Sequence, residues 1–179
     1  MNLVFVATLY KKMNKNASYY IQKLGLTQHV EGGSFKETYR SSEHILKEHL
    51  PAIFKGNCNY GTAIYFLLEQ HQFSAFHKIA SDELWHFYEG QTLSIYELDQ
   101  TGKMTCHKLG SDLENGESYQ CVIKAGNWFG SRCEVEQGFS LVGCTVSPGF
   151  DFADFELAKK EDLIAQYPQH SALLEQMCY

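Results

Sequence analysis

The sequence predicts an all-β protein, a sandwich or a closed antiparallel barrel, with short helices at its two ends. Short apolar segments follow one another through the middle of the chain at roughly ten-residue spacing, separated by Gly, Asn, Asp and Ser. Phe, Tyr and Trp, which favour strands, make up 14% of the 179 residues. The end of the chain differs, because residues 160–167 and 171–177 have a helical pattern with Pro168 between them.

The elements follow in chain order. Residues 18–24 predict a short helix that Ser18 opens and Gly25 ends, and residues 35–40 alternate as in a strand. Eight further strands are predicted, at 62–68, 74–79, 84–89, 92–98, 103–108, 120–124, 128–133 and 139–147. The step from Pro148 to Phe150 is then predicted to turn the chain away from the barrel. Residues 151–156 would lie over the barrel surface or across a partner subunit.

Length and composition bound the class of protein. With 44% hydrophobic and 20% charged residues, the chain is expected to form one domain over residues 17–179. Residues 1–16 are predicted to be a disordered extension, with Met13 as an alternative start. The net charge of -6 argues against nucleic acid and anionic membranes as partners. The six cysteines occur singly, which favours reduced thiols. Because the sequence has no apolar stretch of membrane-spanning length, the predicted location is the cytoplasm.

One His–Glu pair is the candidate for chemistry. His77 and Ile79 share a strand face, residues 80–82 form a turn, and Glu83 begins the next strand on the same side as Trp85. We expect His77 and Glu83 to meet inside the barrel mouth. A carboxylate beside an imidazole orients it and tunes its pKa, and the same pair can supply two metal ligands or a purely structural hydrogen bond.

This segment resembles the first cupin motif, which runs Gly, five residues, His-x-His, three or four residues, Glu, six residues, Gly. His77, Glu83 and Gly90 match, whereas His71 replaces the first Gly and Ile79 the second His. The second motif has Phe129 in place of its His. Only two of the usual four metal ligands remain, so we predict no cofactor and no tightly bound metal, with His71 or His86 as the possible replacements.

A narrower resemblance covers about residues 17 to 168. The chain is similar to the cupin family catalogued as domain of unknown function 985. Its matching blocks are His29-Val-Glu31-Gly-Gly33, Glu37-Thr-Tyr-Arg-Ser41, Thr62-Ala-Ile-Tyr-Phe-Leu-Leu68, Ser81–Tyr88, Lys124–Trp128 and Leu141–Glu156. The resemblance implies a jelly-roll barrel (a double-stranded β-helix), a homodimer, and a pocket similar to that of the metal-free dTDP-sugar 3,5-epimerases. An apolar outer face on strands 62–68 and 84–89 also favours a dimer.

The resemblance implies roles for particular residues. His77 is the candidate base, Glu83 orients it, and Tyr39, or Tyr65 in its place, is the candidate acid. The candidate ligand contacts are Arg40, Thr62, Tyr65, Asp82, Trp85, His86 and Trp128. Structural alternatives stay open: the tyrosines as half-buried strand residues, the tryptophans as core, Asp82 as a turn former, and Arg40 as a partner of Glu37 or Glu43.

Three functions remain open. The first is a metal-free isomerase or epimerase acting on a sugar, a nucleotide-sugar or a related carbonyl compound. The second is a ligand-binding or storage-like protein without catalysis. The third is a metal-dependent cupin enzyme, against which the lost ligands at Ile79 and Phe129 argue.

Overall fold

The computed structural model describes residues 15–134 and 137–179, so most of the predicted extension, residues 1–14, lies outside the described residues. The described chain contains three α-helices: α1 (Ala17–Leu24), α2 (Lys160–Gln166) and α3 (Ser171–Met177). Its strands are β1 (Thr27–Gln28), β2 (Ser34–Arg40), β3 (His44–Ile45), β4 (Cys58–Asn59), β5 (Thr62–Glu69), β6 (Phe73–Lys78), β7 (Asp82–Gly90), β8 (Leu93–Leu98), β9 (Met104–Leu109), β10 (Gln120–Ile123), β11 (Trp128–Cys133), β12 (Phe139–Ser147) and β13 (Glu156–Leu157).

The strands form two main antiparallel sheets. One has the order β1-β2-β5-β12-β7-β10 and the other the order β13-β6-β11-β8-β9, while β3 and β4 make a separate pair. The main core lies between the two sheets, where Phe66, Trp85 and Val142 of the first contact Ile95 and Phe129 of the second. The fold is therefore an all-β jelly-roll barrel, as predicted.

The predicted elements agree closely with the observed ones. The strand expected at 62–68 is observed as Thr62–Glu69, and the one expected at 139–147 as Phe139–Ser147. The first helix ends at Gly25, whose φ of 67° gives a left-handed cap, as predicted. It is not opened by Ser18, however. Asn16 is the N-cap, because its side chain accepts a hydrogen bond from the backbone N–H of Tyr19.

The helices cover the outer faces of the two sheets. Tyr20 of α1 packs against Leu67 and Leu141 on the outside of the six-stranded sheet. Leu163 of α2 and Leu174 of α3 pack against the five-stranded sheet. No helix among the described residues is long and apolar enough to cross a membrane.

The segment after β12 does not turn away from the barrel, but residues 151–156 lie over it, which is one of the two predicted positions. It forms a 3₁₀ turn at Phe152–Asp154 and then adds β13 to the edge of β6, with Glu156 opposite Lys78. The backbone N–H of Phe150 donates to Thr62 Oγ1 at 3.0 Å, and the backbone N–H of Lys55 donates to the Asp154 carboxylate at 2.7 Å. These bonds hold the segment across one end of the barrel, where it becomes a wall of the pocket.

Candidate functional site

A cavity of about 80 Å³ lies between the two sheets, at the end of the barrel where β5 and β7 begin. Six titratable side chains and a cysteine line it together with aliphatic and aromatic side chains. The titratable side chains are those of His29, Glu31, Glu37, Arg40, His77 and Glu83, and the others are Phe35, Ile64, Ile79, Cys144, Val146, Phe150 and Phe152. His77 and Glu83, which the sequence predicted to share the barrel interior, therefore line one cavity.

His77 is a buried imidazole near the end of β6, only 3% exposed. Its Nδ1–H donates to the carbonyl oxygen of Ala75 at 2.8 Å, which fixes the ring and turns Nε2 toward Glu31. Burial lowers the pKa of His77 more than the Ala75 carbonyl and the charge of Glu83 raise it. The imidazole is therefore neutral at pH 7, with the lone pair on Nε2.

The carboxyl group that contacts His77 is that of Glu31, not Glu83 as predicted. His77 Nε2 lies 3.1 Å from Glu31 Oε2, and the other oxygen, Oε1, accepts a hydrogen bond from Ser74 Oγ at 2.9 Å. Glu83 acts on His77 only through its charge. Strand alternation correctly put Glu83 and His77 in one cavity, but alternation alone cannot say which side chain completes a contact across it.

Glu31 reaches this position because the tip of the β1–β2 hairpin packs directly on β6. The Glu31 carbonyl accepts from the backbone N–H of Ala75 at 2.8 Å. Gly32 has a φ of 112°, and a Cβ there would lie 2.1 Å from the carbonyl oxygen of Phe73. Only glycine permits both this conformation and this approach. The signal in the sequence is the acidic residue directly before Gly32 and Gly33, in a block that the family resemblance includes without a role for Glu31.

Two of the three carboxyl groups that line the cavity, Glu31 and Glu83, ionise with difficulty. Burial raises the pKa of Glu31 to about 7, against the opposing effects of His29 and Ser74. Burial likewise raises the pKa of Glu83 to about 7, and the charge of Glu31 adds to this effect. The cavity therefore contains two carboxyl groups that exchange protons near neutral pH.

Cys144 and Trp85 both lie next to Glu83. The sequence analysis gave Cys144 no role and proposed Trp85 as a ligand contact. The Cys144 thiol lies beside the Glu83 carboxyl, and burial together with the charge of Glu83 raises the pKa of Cys144 well above its usual value. The thiol is therefore neither ionised nor nucleophilic at pH 7. Trp85 Nε1 is buried without a hydrogen-bond partner among the described residues, although the indole lies close enough to Glu83 to lower its pKa slightly.

Arg40 lines the cavity, but its guanidinium group is already hydrogen-bonded to other groups of the protein. Its Nε and Nη2 donate to the two oxygens of Glu37 at 3.0 and 2.7 Å, and Nη1 donates to Asn59 Oδ1 at 2.7 Å and to the Phe150 carbonyl at 3.0 Å. The structural alternative, a partner for Glu37, is thus the observed arrangement. Arg40 joins β2 to β4 and to the segment after β12.

Three predicted site residues lie outside the cavity, on the outer face of the six-stranded sheet. A bulge in β2 separates Glu37 from Tyr39, and Tyr39 projects outward with 56% of its surface exposed. Tyr65 packs on Tyr88, with ring centroids 5.8 Å apart. His86 lies between Thr145 Oγ1 and Gln120 Nε2, as strict alternation from Glu83 requires.

The other predicted contacts also lie away from the cavity wall. Thr62 anchors the backbone of Phe150, and Asp82 pairs with Lys124 and accepts the backbone N–H of Ala125. Trp85 is core, with its ring edge-on to Phe66 and Phe129. Trp128 lies under the ammonium group of Lys78, at 4.3 Å, and lines a separate groove beside α2.

The donor set does not match a metal site. Among residues 15–134 and 137–179, no three His, Cys, Asp or Glu side chains converge as metal ligands. Ile79 lines the cavity, and the Phe129 ring lies 4.1 Å from that of His77, so hydrocarbon stands where the motif has imidazoles. His71 occupies the turn between β5 and β6, with a φ of 66°, and His86 faces outward, so neither replaces a lost ligand.

A jelly-roll barrel with a His–Glu pocket between its sheets defines a cupin. The chain matches the Cupin superfamily (DUF985) family over residues 18–158, and it belongs to that family. The chain is 35% identical over 150 residues to the uncharacterized protein YML079W of Saccharomyces cerevisiae, a match that covers 76% of this chain and 72% of the yeast protein.

Solved structures have the same architecture. Protein SO0799 from Shewanella oneidensis is 43% identical, with a TM-score of 0.82 over 92% of this chain and 98% of its own. A hypothetical protein from Leishmania major is 32% identical, also with a TM-score of 0.82, over 92% of this chain and 99% of its own. Oxalate decarboxylase from Bacillus subtilis, 13% identical with a TM-score of 0.52 over 84% of this chain and 36% of its own, shares the fold alone.

Proposed function

We propose that this cupin binds a small carbonyl compound, a sugar or a relative of one, and isomerises it by acid–base catalysis without a metal. The observation that carries the proposal is the 3.1 Å contact between His77 Nε2 and Glu31 Oε2, in a cavity that Glu83 also lines. General acid–base catalysis needs two proton-exchanging groups that face one ligand with pKa values near the working pH. The Glu31–His77 pair provides one of these groups, and Glu83 provides the other.

The base is the His77–Glu31 pair after it has lost the one proton that Nε2 and Oε2 share at 3.1 Å. The Nε2 lone pair takes a proton from the carbon next to the carbonyl group, and the C–H electron pair forms the double bond of an enol. The proton then lies between Nε2 and Oε2, where imidazolium and carboxylate stabilise each other at 3.1 Å. The Ala75 carbonyl, which accepts Nδ1–H, keeps the ring oriented throughout.

The acid is Glu83 in its protonated form. It donates its proton to the carbonyl oxygen as the enol forms. His77 then returns its proton to the carbon that bore the carbonyl, and the neighbouring hydroxyl gives its own proton back to Glu83. The carbonyl group thus moves by one carbon, with no net gain or loss of protons or electrons. Tyr39 lies outside the cavity, so this one-sided arrangement supports an isomerase rather than an epimerase, which needs a second acid on the opposite face.

Deuterium exchange tests the proposal. Small aldoses and ketoses are incubated with the protein in D₂O, and NMR follows deuterium at the carbons next to the carbonyl. We expect exchange with a bell-shaped pH profile centred near 7, since the rate rises as Glu31 ionises and falls as Glu83 ionises. Replacing Glu31 with glutamine should slow exchange by about 10²-fold or more. Glu156→Gln, which breaks an exposed ion pair with Lys78, is the matched control.

The alternatives give different results. Saturable binding without exchange in any compound would favour a non-catalytic binding protein. A loss of exchange on chelation, restored by a divalent metal, would favour a metal-dependent cupin. An unchanged rate in Glu31→Gln, with the fold intact by circular dichroism, would remove the base from the proposal.

A further inference from the structure

We infer that the ligand of this cavity is a small uncharged hydroxy-aldehyde or hydroxy-ketone, not a sugar phosphate or a nucleotide-sugar. The inference rests on the proposed function, because it names the substrate class for the same site. It depends on which charges in the cavity are free, on the size of the cavity, and on how its outer wall is held.

The cavity offers no free positive charge to an anionic ligand. Of the described residues that line it, Arg40 is the one with a permanent positive charge. The Nε–H and Nη2–H groups of that guanidinium donate to the two oxygens of Glu37, and Nη1 donates to Asn59 Oδ1 and to the Phe150 carbonyl. A phosphate or carboxylate on the ligand would have to break a bidentate ion pair and leave Glu37 without a partner.

The groups that do face the ligand oppose a negative charge. Glu31 and Glu83 are 6% and 8% exposed, and neither is paired with Lys or Arg in the described part of the chain. His29 and His77 are neutral because burial lowers the pKa of each. An anion here would meet two acids and two uncharged rings, whereas hydroxyl and carbonyl groups can donate to or accept from every one of them.

The size of the cavity also argues for a small ligand. A volume of about 80 Å³ is well below the ~300–1,000 Å³ of sites that hold drug-sized molecules. The outer wall is the segment of Phe150 and Phe152, tied down at Phe150 by Thr62 and Arg40. A nucleotide would require both bonds to break. The rings of Phe35 and Phe150 instead suit the C–H face of a short carbon chain.

Matched pairs of compounds test the inference by binding alone. Dihydroxyacetone is compared with dihydroxyacetone phosphate, and ribose with ribose 5-phosphate, by ligand-observed NMR and calorimetry at pH 7. We expect the uncharged member of at least one pair to bind saturably and its phosphate to bind about tenfold weaker or more. Glu83→Gln is compared with the wild type at pH 8, where Glu83 is ionised; it removes one opposing charge while keeping the side chain's shape, so the gap should narrow by about tenfold (1.4 kcal/mol). Glu31→Gln, checked by circular dichroism and melting, serves as the second variant.

Tighter binding of either phosphate overturns the inference. So does failure of every uncharged member to bind at concentrations on the order of 10 mM, well above ordinary weak affinities. A gap that stays the same in Glu83→Gln and Glu31→Gln would assign the selectivity to something other than these carboxyl groups and would also refute it. Binding without deuterium exchange would refute the proposed catalysis and leave the ligand class supported, so the two failures are distinguishable.

Discussion

Replacing Glu83 with glutamine removes a carboxyl group that is buried without a cationic partner among the described residues, and it should change how stability depends on pH. The pKa of Glu83 is raised from 4.5 to about 7 in the folded protein. Below pH 4.5 the carboxyl is protonated in both the folded and the unfolded chain. Between pH 4.5 and 7 the unfolded chain loses this proton while the folded protein keeps it, so the free energy of unfolding falls as pH rises.

The size of this effect follows from the pKa shift. Each unit of pKa difference corresponds to about 1.4 kcal/mol, so ionisation of Glu83 destabilises the folded protein by about 3 kcal/mol at pH 8. Glutamine has no such ionisation. We therefore expect the stability of Glu83→Gln relative to the wild type to rise by about 3 kcal/mol between pH 4.5 and pH 8, whatever constant loss arises from its altered contact with Cys144.

Urea unfolding at several pH values, followed by tryptophan fluorescence, measures this difference. Glu156→Gln is the matched control, because its carboxylate is 59% exposed in an ion pair with Lys78 and should give a nearly flat difference. A flat difference for Glu83→Gln as well would show that Glu83 ionises normally in the folded protein. That result would also refute the proposed role of Glu83 as the acid.

Three further predictions concern the rest of the molecule. Gly32→Ala should destabilise the protein by about 2–4 kcal/mol in urea unfolding, because the new Cβ meets the Phe73 carbonyl. Gly116→Ala, also at positive φ but in open space, should cost only about 1 kcal/mol. Equal losses would refute the close approach of Gly32 to Phe73. Ile79→His combined with Phe129→His should create a divalent-metal site with His77 and Glu83, detectable by calorimetry, and failure to bind any metal would contradict the assignment of these positions. We propose that the exposed Tyr39, Tyr88 and Val122 on the outer sheet face mediate a homodimer, so light scattering should show a dimer that Tyr88→Asp dissociates; a monomeric wild type would refute it.

The fold could be predicted from the sequence because its strands carry their signals locally. Alternation within segments such as Thr62–Glu69 and turn residues between them gave the strand bounds to within about two residues. The path after Pro148 could not be predicted in the same way. It depends on hydrogen bonds from Thr62, Arg40 and Lys55, which are distant in sequence, and the order of the strands alone brings them together.

The candidate site was predictable in part, for the same physical reason. His77 and Glu83 lie on consecutive strands, β6 and β7, which belong to opposite sheets and not to one hairpin, and period-two alternation placed both side chains inside. Glu31 lies on a distant hairpin and reaches His77 only because Gly32 allows two backbones to touch. Tyr39 was proposed as the acid from the family resemblance, and the bulge between Glu37 and Tyr39 puts its side chain on the outer face instead.

The two departures from the cupin metal motif and the unusual carboxyl groups have one physical cause. Ile79 and Phe129 put hydrocarbon beside His77 where the motif has imidazoles. Burial raises the pKa of Glu31 and Glu83 to about 7, well above the value of a carboxyl group in water. A metal ion in the same place would have drawn the carboxyl pKa values far below neutrality. The hydrocarbon that takes the place of the metal ligands thus surrounds acid–base groups with pKa values near neutral pH, and on this combination we base the proposal of a metal-free proton-transfer site.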